Sequence, residues 1–476
     1  MKSLKSLLFQ VPLILDVAFA SDVITDPENA TTFALTYGFP LLGFAQVSLS
    51  AFKNGGVNQL QRSPGLANAS STSVVTPNVD TLYGIGIFDL AVDDIVVTIP
   101  SIPENERYYS YAFFDPFGSN FFNLESEPVS IPPGKYLLRR GSKTWGFEKS
   151  NNKEYQGYID SPTGNGVFLT RIEVKNNNTD VMVVEGYLNG TNMSPIPRES
   201  GDPIPESPPL TPATFAALEG LSTQQQTLEL TARLQAANPP FNVTDVAFID
   251  ATLFAAGIHN GTYHQPAGVD LEKANSLADA EIGVYTQTGR QLLGNQWARY
   301  NLQGLYGNNF AARSLLAQIG YLNLQESQAI YPFSLTEEGG TTSIAHNEAL
   351  LYTFVGGKPP TLSPEGFWSV TMYDAEHFLI ANSLNVYALG DRSNLTYPDG
   401  TPVYGPTSGP ENDARAFQIL IQAADIAPPI NWTNNWLPAP SNGNFSTVLR
   451  LYGPTSALTD GSWTYPTVSK IPAITM

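Results

Sequence analysis

A proline-rich segment constrains the fold of this chain more than any other feature. Residues 194–212 contain seven prolines, and each proline fixes φ and removes a backbone hydrogen-bond donor. The segment therefore cannot form a regular helix or a central strand, and we expect a linker over residues 194–212. The 476 residues of the chain suffice for one large domain or two to three smaller ones.

The chain before this linker has the pattern of β-strands. Runs of β-branched and aromatic residues, bounded by glycine, proline and asparagine, occur at residues 93–100, 108–114, 166–174 and 181–187. Such runs are typical of strands. We therefore predict a β-rich N-terminal domain over residues 21–193.

Apolar residues take a helical spacing after the linker. Residues 215–236, 270–300 and 315–324 are rich in Ala, Leu and Gln at that spacing, and Asp270 is a suitable N-cap residue. These features predict a helical segment over residues 213–329.

Strand patterns return towards the C-terminal end. They cover residues 350–355, 367–373, 386–389 and 417–422, and they predict a second β-rich domain over residues 330–476. Because the helices stand between the two sets of strands rather than alternating with them, the expected fold class is α+β.

The N-terminus has the composition of a secretory signal peptide over residues 1–20. Lys2 and Lys5 precede an apolar stretch, which ends in the small-x-small sequence Ala18-Phe19-Ala20 that signal peptidase accepts. The stretch is too short to span a membrane, and Asp16 interrupts it. We expect a secreted, extracellular protein with no membrane span after removal of the signal.

Acceptor sequences for N-glycosylation favour the same localisation. The pattern Asn-x-Ser/Thr occurs ten times, about twice what chance gives in a chain rich in Ser and Thr. The chain contains no cysteine, so it has neither a disulfide nor a thiolate nucleophile. The predicted glycosylation sites are Asn29, Asn68, Asn177, Asn189, Asn192, Asn242, Asn260, Asn394, Asn431 and Asn444.

The charge of the chain excludes one class of partner. The sequence has 43 acidic and 24 basic residues, a net charge of -19 and a pI near 4.5. Nucleic-acid binding depends on Lys and Arg that neutralise phosphates, so we expect no nucleic-acid partner. The low pI suits an acidic medium, where protonation of carboxylates would relieve repulsion between them.

Familiar catalytic and cofactor motifs do not occur. The sequence has no H-E-x-x-H, no G-x-S-x-G, no Walker loop and no dinucleotide fingerprint, and we predict no cofactor and no metal site. His377 stands beside Asp374 and Glu376 and is the better candidate for a ligand or base, although a solvated strand end is the commoner setting for such a residue.

Aromatic and polar residues cluster in three segments, near residues 76–115, 366–382 and 435–463. A functional interpretation makes them a cleft for a small molecule or a sugar. The carboxylates that could act as acids or bases there are Asp80, Asp115, Asp374 and Glu376. The candidate ligand-binding residues are Asn78, Tyr83, Arg107, Tyr108, Trp368, Tyr373, Asn382, Trp436, Arg450 and Tyr452.

A structural interpretation of the same residues is favoured on general grounds. Buried Asp, Asn and Arg side chains need partners, because an unpaired one costs several kcal/mol. Asp80, Arg107 and Arg450 would then be internal clamps across strands, and the tryptophans would fill the core.

Three functions follow from these alternatives. The preferred hypothesis is a secreted glycoprotein that binds a small polar or glycan-like ligand in an aromatic-lined cleft between the domains. The second is an enzyme that uses carboxylate and tyrosine acid–base chemistry on a small metabolite or glycoside. The third is a structural surface glycoprotein without a ligand, whose motif residues pair only with one another.

The motifs themselves resemble a known pair of families. TPNVDTLYG, DLAVDDIVVTIP and ERYYSYAFFDPF resemble domain of unknown function 1254 over about residues 50–190. GFWSVTMYDAEHFLIAN, NWLPAP and RLYGPTSALTDGSW resemble its C-terminal companion, domain of unknown function 1214, over about residues 340–475. The chain resembles a secreted eukaryotic, fungal-like member. The resemblance implies two β-rich domains, sandwich- or jelly-roll-like, with a helical segment between them, and it implies no activity.

Overall fold

The computed structural model describes most of the chain. The described residues are 23–72, 75–103, 107–126, 132–141, 144–151, 153–176, 178–198, 207–335, 341–356, 359–404, 415–441 and 443–475. The predicted signal peptide and the predicted glycosylation site at Asn177 lie outside them.

Two sheets build the N-terminal half. Their orders are β1-β2-β9-β4-β5 and β10-β3-β6-β8-β7, and neighbouring strands are antiparallel apart from the parallel pair β6 and β8. The strands are β1 (Gln61–Arg62), β2 (Thr81–Asp89), β3 (Asp93–Ile99), β4 (Tyr109–Phe114), β5 (Asn120–Glu125), β6 (Gly134–Arg140), β7 (Gly146–Lys149), β8 (Gly157–Ser161), β9 (Asn165–Glu173) and β10 (Asn192–Pro197).

These two sheets pack face to face as a sandwich. Leu82 and Phe168 of one sheet lie in the same core as Val97 of the other, because alternate residues of a strand point to one face. β9 is buried along its whole length, since the second face of its sheet packs against helices. Ile87 and Leu169 lie on that second face.

A helical layer covers the second face. α1 contacts α4, α5, α6 and α7, whereas α3 packs on β2 and β9. The helices at the N-terminus therefore share one layer with the helices of the central segment. The helices are α1 (Pro27–Gly38), α2 (Leu41–Lys53), α3 (Val181–Gly190), α4 (Thr223–Leu234), α5 (Val246–Ala255), α6 (Leu271–Thr288) and α7 (Phe310–Gly320).

The C-terminal half forms a second sandwich. One sheet has the order β13-β14-β16-β22-β18-β19, with β15 also paired to β22, and the other has the order β21-β20-β17-β23. Trp368 and Leu449 of the first sheet share a core with Ile419 of the second. The remaining strands are β11 (Ile258–His259), β12 (Thr262–Tyr263), β13 (Arg290–Gly294), β14 (Trp297–Tyr300), β15 (Ala329–Ile330), β16 (Phe333–Ser334), β17 (Glu348–Phe354), β18 (Trp368–Asp374), β19 (Ala388–Gly390), β20 (Phe417–Ala423), β21 (Trp436–Ala439), β22 (Phe445–Tyr452) and β23 (Thr467–Pro472).

This architecture confirms the expected α+β class with β-rich domains. One predicted strand is wrong, because residues 181–187 belong to helix α3. Val184 and Leu188 are its buried residues, while Met182 is 82% exposed. Buried positions four residues apart are the pattern of a helix that rests one face on a sheet.

The predicted helix over residues 270–300 is also too long. Helix α6 ends at Thr288, and β13 and β14 follow it as a hairpin. Asn295 and Gln296 have positive φ at the turn of this hairpin, and asparagine is among the residues that adopt this conformation most readily.

Two helices at the N-terminus were not predicted. The described residues contain no single helix long and apolar enough to cross a membrane, although α1 and α2, which meet at a bend of 44°, together have that length and composition. Both helices carry residues of the core beneath the helical layer, among them Tyr37 and Phe44.

The described ends of the proline-rich segment are packed. Pro195 and Pro197 lie in β10, which pairs with β3 at the edge of its sheet, where a missing backbone donor is tolerated. Leu210 is buried, and its N–H donates to Oδ2 of Asp89 (2.7 Å).

Candidate functional site

A cleft of about 790 Å³ lies where the two sandwiches and the helical layer meet. Tyr83 and Arg171 line it from β2 and β9 of the first sandwich. Val448 and Arg450 line it from β22 of the second sandwich, and Leu316 of α7 provides part of the apolar wall. Residues distant in sequence therefore share one cavity.

The period-two pattern of strands explains which side chains reach the cleft. In β22, Leu449 and Leu451 point into the core of the second sandwich. Val448, Arg450 and Tyr452 occupy the alternate positions and line the cleft. The same strand therefore contributes side chains to the core behind the cleft and to the surface of the cleft.

Two buried arginines are the principal charged groups of the cleft. Arg171 is 6% exposed and Arg450 is 4% exposed. Nη2 of Arg171 donates to the carbonyl oxygen of Leu322 (3.0 Å), and Nη2 of Arg450 donates to that of Thr76 (2.7 Å). Within the described part of the chain, neither arginine has a carboxylate at ion-pair distance, and Nη1 of each lacks a hydrogen-bond partner.

Tyrosine hydroxyls surround the two guanidinium groups. Burial raises the pKa of Tyr331 and that of Tyr452, so both phenols are neutral at physiological pH. The Tyr452 hydroxyl accepts a hydrogen bond from Nδ2 of Asn78 (2.8 Å). The Arg171 guanidinium carbon lies 5.7 Å from the centre of the Tyr83 ring. These groups can donate hydrogen bonds but cannot neutralise the arginines.

The cleft is a region of positive charge in an acidic protein. The described residues that line it include Arg62, Arg171, Arg450 and His377 but neither Asp nor Glu. Burial lowers the pKa of His377, so this ring is neutral near pH 7, and the charge comes from the arginines. The chain as a whole has a net charge of -19.

Residues 75–80, which we call the strap, fasten the first sandwich to the second beside the cleft. The Tyr373 hydroxyl of β18 donates to the carbonyl oxygen of Pro77 (2.8 Å). The Thr76 hydroxyl donates to the carbonyl oxygen of Ile319 in α7 (2.6 Å), and the Thr76 N–H donates to that of His377 (2.8 Å). The strap therefore holds one edge of the cleft in place.

Asp80 ends the strap and does not line the cleft. Its two carboxylate oxygens accept hydrogen bonds from Nε of Arg392 (2.5 Å) and from the Ser369 hydroxyl (2.6 Å). Burial, together with the nearby Glu173 carboxylate, raises the pKa of Asp391 well above its usual range. This buried cluster of charges joins the two sandwiches.

Four of the residues predicted to bind a ligand line the cleft: Asn78, Tyr83, Arg450 and Tyr452. The others lie elsewhere. Nη1 of Arg107 pairs with Asp180 (2.9 Å), and the amide of Asn382 bonds within its own loop, to the carbonyl oxygens of residues 380 and 386.

The predicted aromatic ligand contacts are largely buried in the protein. Tyr108 lies behind the cleft wall, with its ring centre 5.1 Å from that of Tyr452. Nε1 of Trp368 donates to the Tyr404 hydroxyl (2.9 Å) within the second core. Nε1 of Trp436 donates to the carbonyl oxygen of Gln422 (3.1 Å).

The predicted catalytic carboxylates are not brought together. Asp115 is buried near Arg313 and accepts from the N–H of Ser119 (2.7 Å). Asp374 accepts from two backbone N–H groups of the turn that follows it, and Glu376 in that turn is exposed. With Asp80 in the buried clamp, none of the four lines the cleft.

Sequence analysis missed Arg171, Tyr331 and the end of α7 as parts of the site. A signal for Arg171 was present, because it is a cation within the apolar run over residues 166–174, which was predicted as a strand. A buried cation in a central strand requires a partner, but the sequence around Arg171 does not identify which residue or ligand that partner is.

A second cleft, of about 600 Å³, shares residues 66–68 with the first. Its lining is rich in side-chain amides, including Asn178, Asn385 and Asn434. The described residues contain no group of three His, Cys, Asp or Glu that could hold a metal ion.

Comparison with known families and structures agrees with the fold. The family described as Protein of unknown function (DUF1254) matches residues 57–195, and DUF1214, also a Protein of unknown function, matches residues 328–456. None of the curated proteins matches the chain.

The solved structures that are similar to this chain include two bacterial proteins. The VPA0106 protein from Vibrio parahaemolyticus has 18% sequence identity and a TM-score of 0.59, over 94% of this chain and 100% of that one. An uncharacterised protein from Burkholderia cenocepacia has 12% identity and a TM-score of 0.43, over 91% and 87% of the two chains. The Vibrio structure shares the fold, and the two family matches agree with the motifs at both ends. The chain therefore belongs to the two-domain family that joins an N-terminal DUF1254 domain to a C-terminal DUF1214 domain.

Proposed function

We propose that this protein binds a small molecule in the cleft between its two sandwiches. The observation that carries the proposal is the cleft itself, a cavity of about 790 Å³ with walls from both sandwiches and α7. Small-molecule sites typically have volumes of roughly 300–1,000 Å³, apolar walls and a few convergent polar groups.

The lining of the cleft matches that description. Leu316, Ile319 and Val448 provide apolar surface, while Asn78 and Tyr83 add polar groups at defined positions. A ligand held there would contact both sandwiches and would exclude water from the apolar wall. The binding hypothesis needs no nucleophile and no catalytic carboxylate.

Acid–base catalysis by carboxylates has less support at this site. A general acid or base must come within hydrogen-bond reach of its substrate, and the described lining residues include no carboxylate. We therefore place small-molecule binding before enzymatic turnover.

An uncharged fluorescent probe, 1-pyrenebutanol, tests the proposal. We expect the probe to bind with one-to-one stoichiometry, and the variant Val448→Trp to weaken binding by about tenfold or more, or about 1.4 kcal/mol, because the larger side chain fills the cleft. Leu292→Trp is the matched control, since Leu292 is 72% exposed on β13 and does not line the cleft.

The two substitutions separate cleft binding from adsorption to the surface. Equal affinity in Val448→Trp and the wild type, with both proteins folded by circular dichroism, would contradict binding in the cleft. So would a loss of binding of the same size in Leu292→Trp.

We further propose that the protein is a secreted glycoprotein. The nine predicted acceptor asparagines within the described residues are all exposed, as attachment of a glycan requires. Expression in a secreting eukaryotic host should give a mass that falls on enzymatic deglycosylation. A secreted protein with the mass of the bare chain would contradict glycosylation.

A further inference from the structure

We infer that the ligand of this cleft is a small organic acid, whose carboxylate is bound between Arg171 and Arg450. The inference rests on the proposed function and adds the chemical class of the ligand. Its basis is the contrast between these two arginines and the other buried arginines of the protein.

Other buried arginines have a partner that accounts for their charge. Arg107 pairs with Asp180, Arg299 with Glu326 and Arg392 with Asp80. A buried cation without such a partner is costly. These pairs show how this protein ordinarily compensates a guanidinium group in its interior.

Arg313 is compensated in a different way. Its guanidinium lies 4.3–5.0 Å from the centres of three aromatic rings, and the Asp115 carboxylate acts on it electrostatically. Cation–π contacts of this kind stabilise a buried charge. Arg313 also stands outside the cleft.

Arg171 and Arg450 are compensated less fully within the described residues, each by a single aromatic ring at a greater distance, Tyr83 at 5.7 Å and Tyr373 at 5.3 Å. Each makes one hydrogen bond to a backbone carbonyl, and Nη1 of each has no partner. The Asp80 carboxylate acts on Arg450 electrostatically, but both of its oxygens are bonded to Arg392 and Ser369. The described lining residues of the cleft therefore supply no anion to these two arginines.

The two guanidinium groups belong to one site. Arg171 comes from the first sandwich and Arg450 from the second, and the same three tyrosines, Tyr83, Tyr331 and Tyr452, interact electrostatically with both. A carboxylate can accept hydrogen bonds from two guanidinium groups because each of its oxygens has two acceptor positions. Such a group would link the two sandwiches through the ligand.

The other lining residues of the cleft indicate the chemistry of the part of the ligand that carries the carboxylate. Leu316, Ile319 and Val448 present apolar surface, and Tyr300 and Phe333 add aromatic rings. A cavity of about 790 Å³ accommodates much more than an inorganic anion. An apolar or aromatic body with one carboxylate matches both parts of the lining.

A matched pair of probes tests the inference, namely 1-pyrenebutyrate and 1-pyrenebutanol. They share the pyrene body and differ in the carboxylate. We expect the wild type to bind the butyrate about tenfold more tightly or better. With a net charge of -19, general electrostatics would favour the uncharged probe, so a preference for the anion requires a local cationic site.

Substitutions assign the preference to the two arginines. Arg171→Gln and Arg450→Gln should each bring the affinity ratio of the two probes close to one. The affinity for 1-pyrenebutanol should change little in both variants. Arg233→Gln is the matched control, because Arg233 does not line the cleft and pairs with Glu229 on the same helix, α4 (2.9 Å). This control should keep the wild-type ratio.

The outcomes distinguish the two proposals. If the wild type binds pyrenebutanol as tightly as pyrenebutyrate, the carboxylate site is wrong, even if the glutamine variants do not fold. An equal loss of preference in Arg233→Gln would also overturn it. If neither probe binds the wild type, the proposed function fails, and the inference fails with it.

Discussion

Asp80 and Arg450 are both buried charges on the boundary between the sandwiches, but only Asp80 has a charged partner. Asp80 is compensated by Arg392 and Ser369, whereas Arg450 donates to a backbone carbonyl. The first arrangement stabilises the folded protein without a ligand. The second leaves a charge that a ligand can compensate.

Asp80→Asn tests the role of Asp80 as a clamp. Removal of one partner of a buried ion pair leaves the other charge unpaired, and we expect the free energy of unfolding to fall by about 3–5 kcal/mol. Urea denaturation measures this. Asp399→Asn is the control, because Asp399 pairs with Arg415 at the surface, and it should have little effect.

An unchanged stability of Asp80→Asn would assign a different role to Asp80. If Asp80→Asn keeps the wild-type stability but no longer binds 1-pyrenebutanol, Asp80 acts on the ligand rather than as a clamp.

The strap is the element that couples the first sandwich to the second at the cleft. It has little regular structure, and its contacts come from the side chain and backbone of Thr76, from Pro77 and from Asp80. Its position therefore depends on hydrogen bonds to elements far away in the sequence.

Tyr373→Phe removes one of these bonds. The Pro77 carbonyl oxygen would lose the hydroxyl that donates to it, and we expect a loss of about 1–3 kcal/mol in the free energy of unfolding. Tyr387→Phe is the control, because the Tyr387 hydroxyl bonds only to the exposed Asn385 at 3.3 Å. Equal stability of the two variants would show that the strap is not fastened by Tyr373.

Strands with strong local patterns could be predicted from the sequence. β9 (Asn165–Glu173) and β17 (Glu348–Phe354) nearly coincide with the predicted strands at residues 166–174 and 350–355. Both are rich in apolar residues, because both contribute to a core. Each pattern is visible in the sequence of the strand alone, so the strand can be predicted without knowing which strands lie beside it.

Helix α3 and the cleft could not be predicted in this way. Val181–Gly190 is rich in valine, yet it is helical because Val184 and Leu188 pack on the sheet. Arg171 and Arg450 are distant in sequence, and only the packing of the two sandwiches brings them to one cleft. Tertiary contacts decide such cases, and local propensity does not.

The protein as a whole should be more stable in mildly acidic solution. Burial raises the pKa of Asp115 to about 6, that of Glu173 to about 7 and that of Glu125 to about 8. Between pH 4 and 8 the unfolded chain releases these protons while the folded protein retains them. Unfolding therefore becomes more favourable as the pH rises through this range.

His377 acts in the other direction. Burial lowers the pKa of His377, so the unfolded chain binds an additional proton below about pH 6.5. The carboxylates outnumber this histidine. We expect the free energy of unfolding to be several kcal/mol higher at pH 5 than at pH 8, since one pKa unit corresponds to about 1.4 kcal/mol.

Urea denaturation at several pH values measures this dependence. Asp115→Asn should reduce the slope, because it removes one of the buried acids, whereas the exposed substitution Asp399→Asn should leave it unchanged. A stability that is equal or greater at pH 8 would contradict the role of these carboxylates.

A crystal structure of the protein with 1-pyrenebutyrate tests most directly whether the cleft binds organic acids. We predict electron density for pyrene beside Leu316 and Val448, with the carboxylate within hydrogen-bond distance of Arg171 and Arg450. An empty cleft in crystals that contain the probe elsewhere, or a carboxylate directed away from both arginines, would contradict a cleft that binds organic acids.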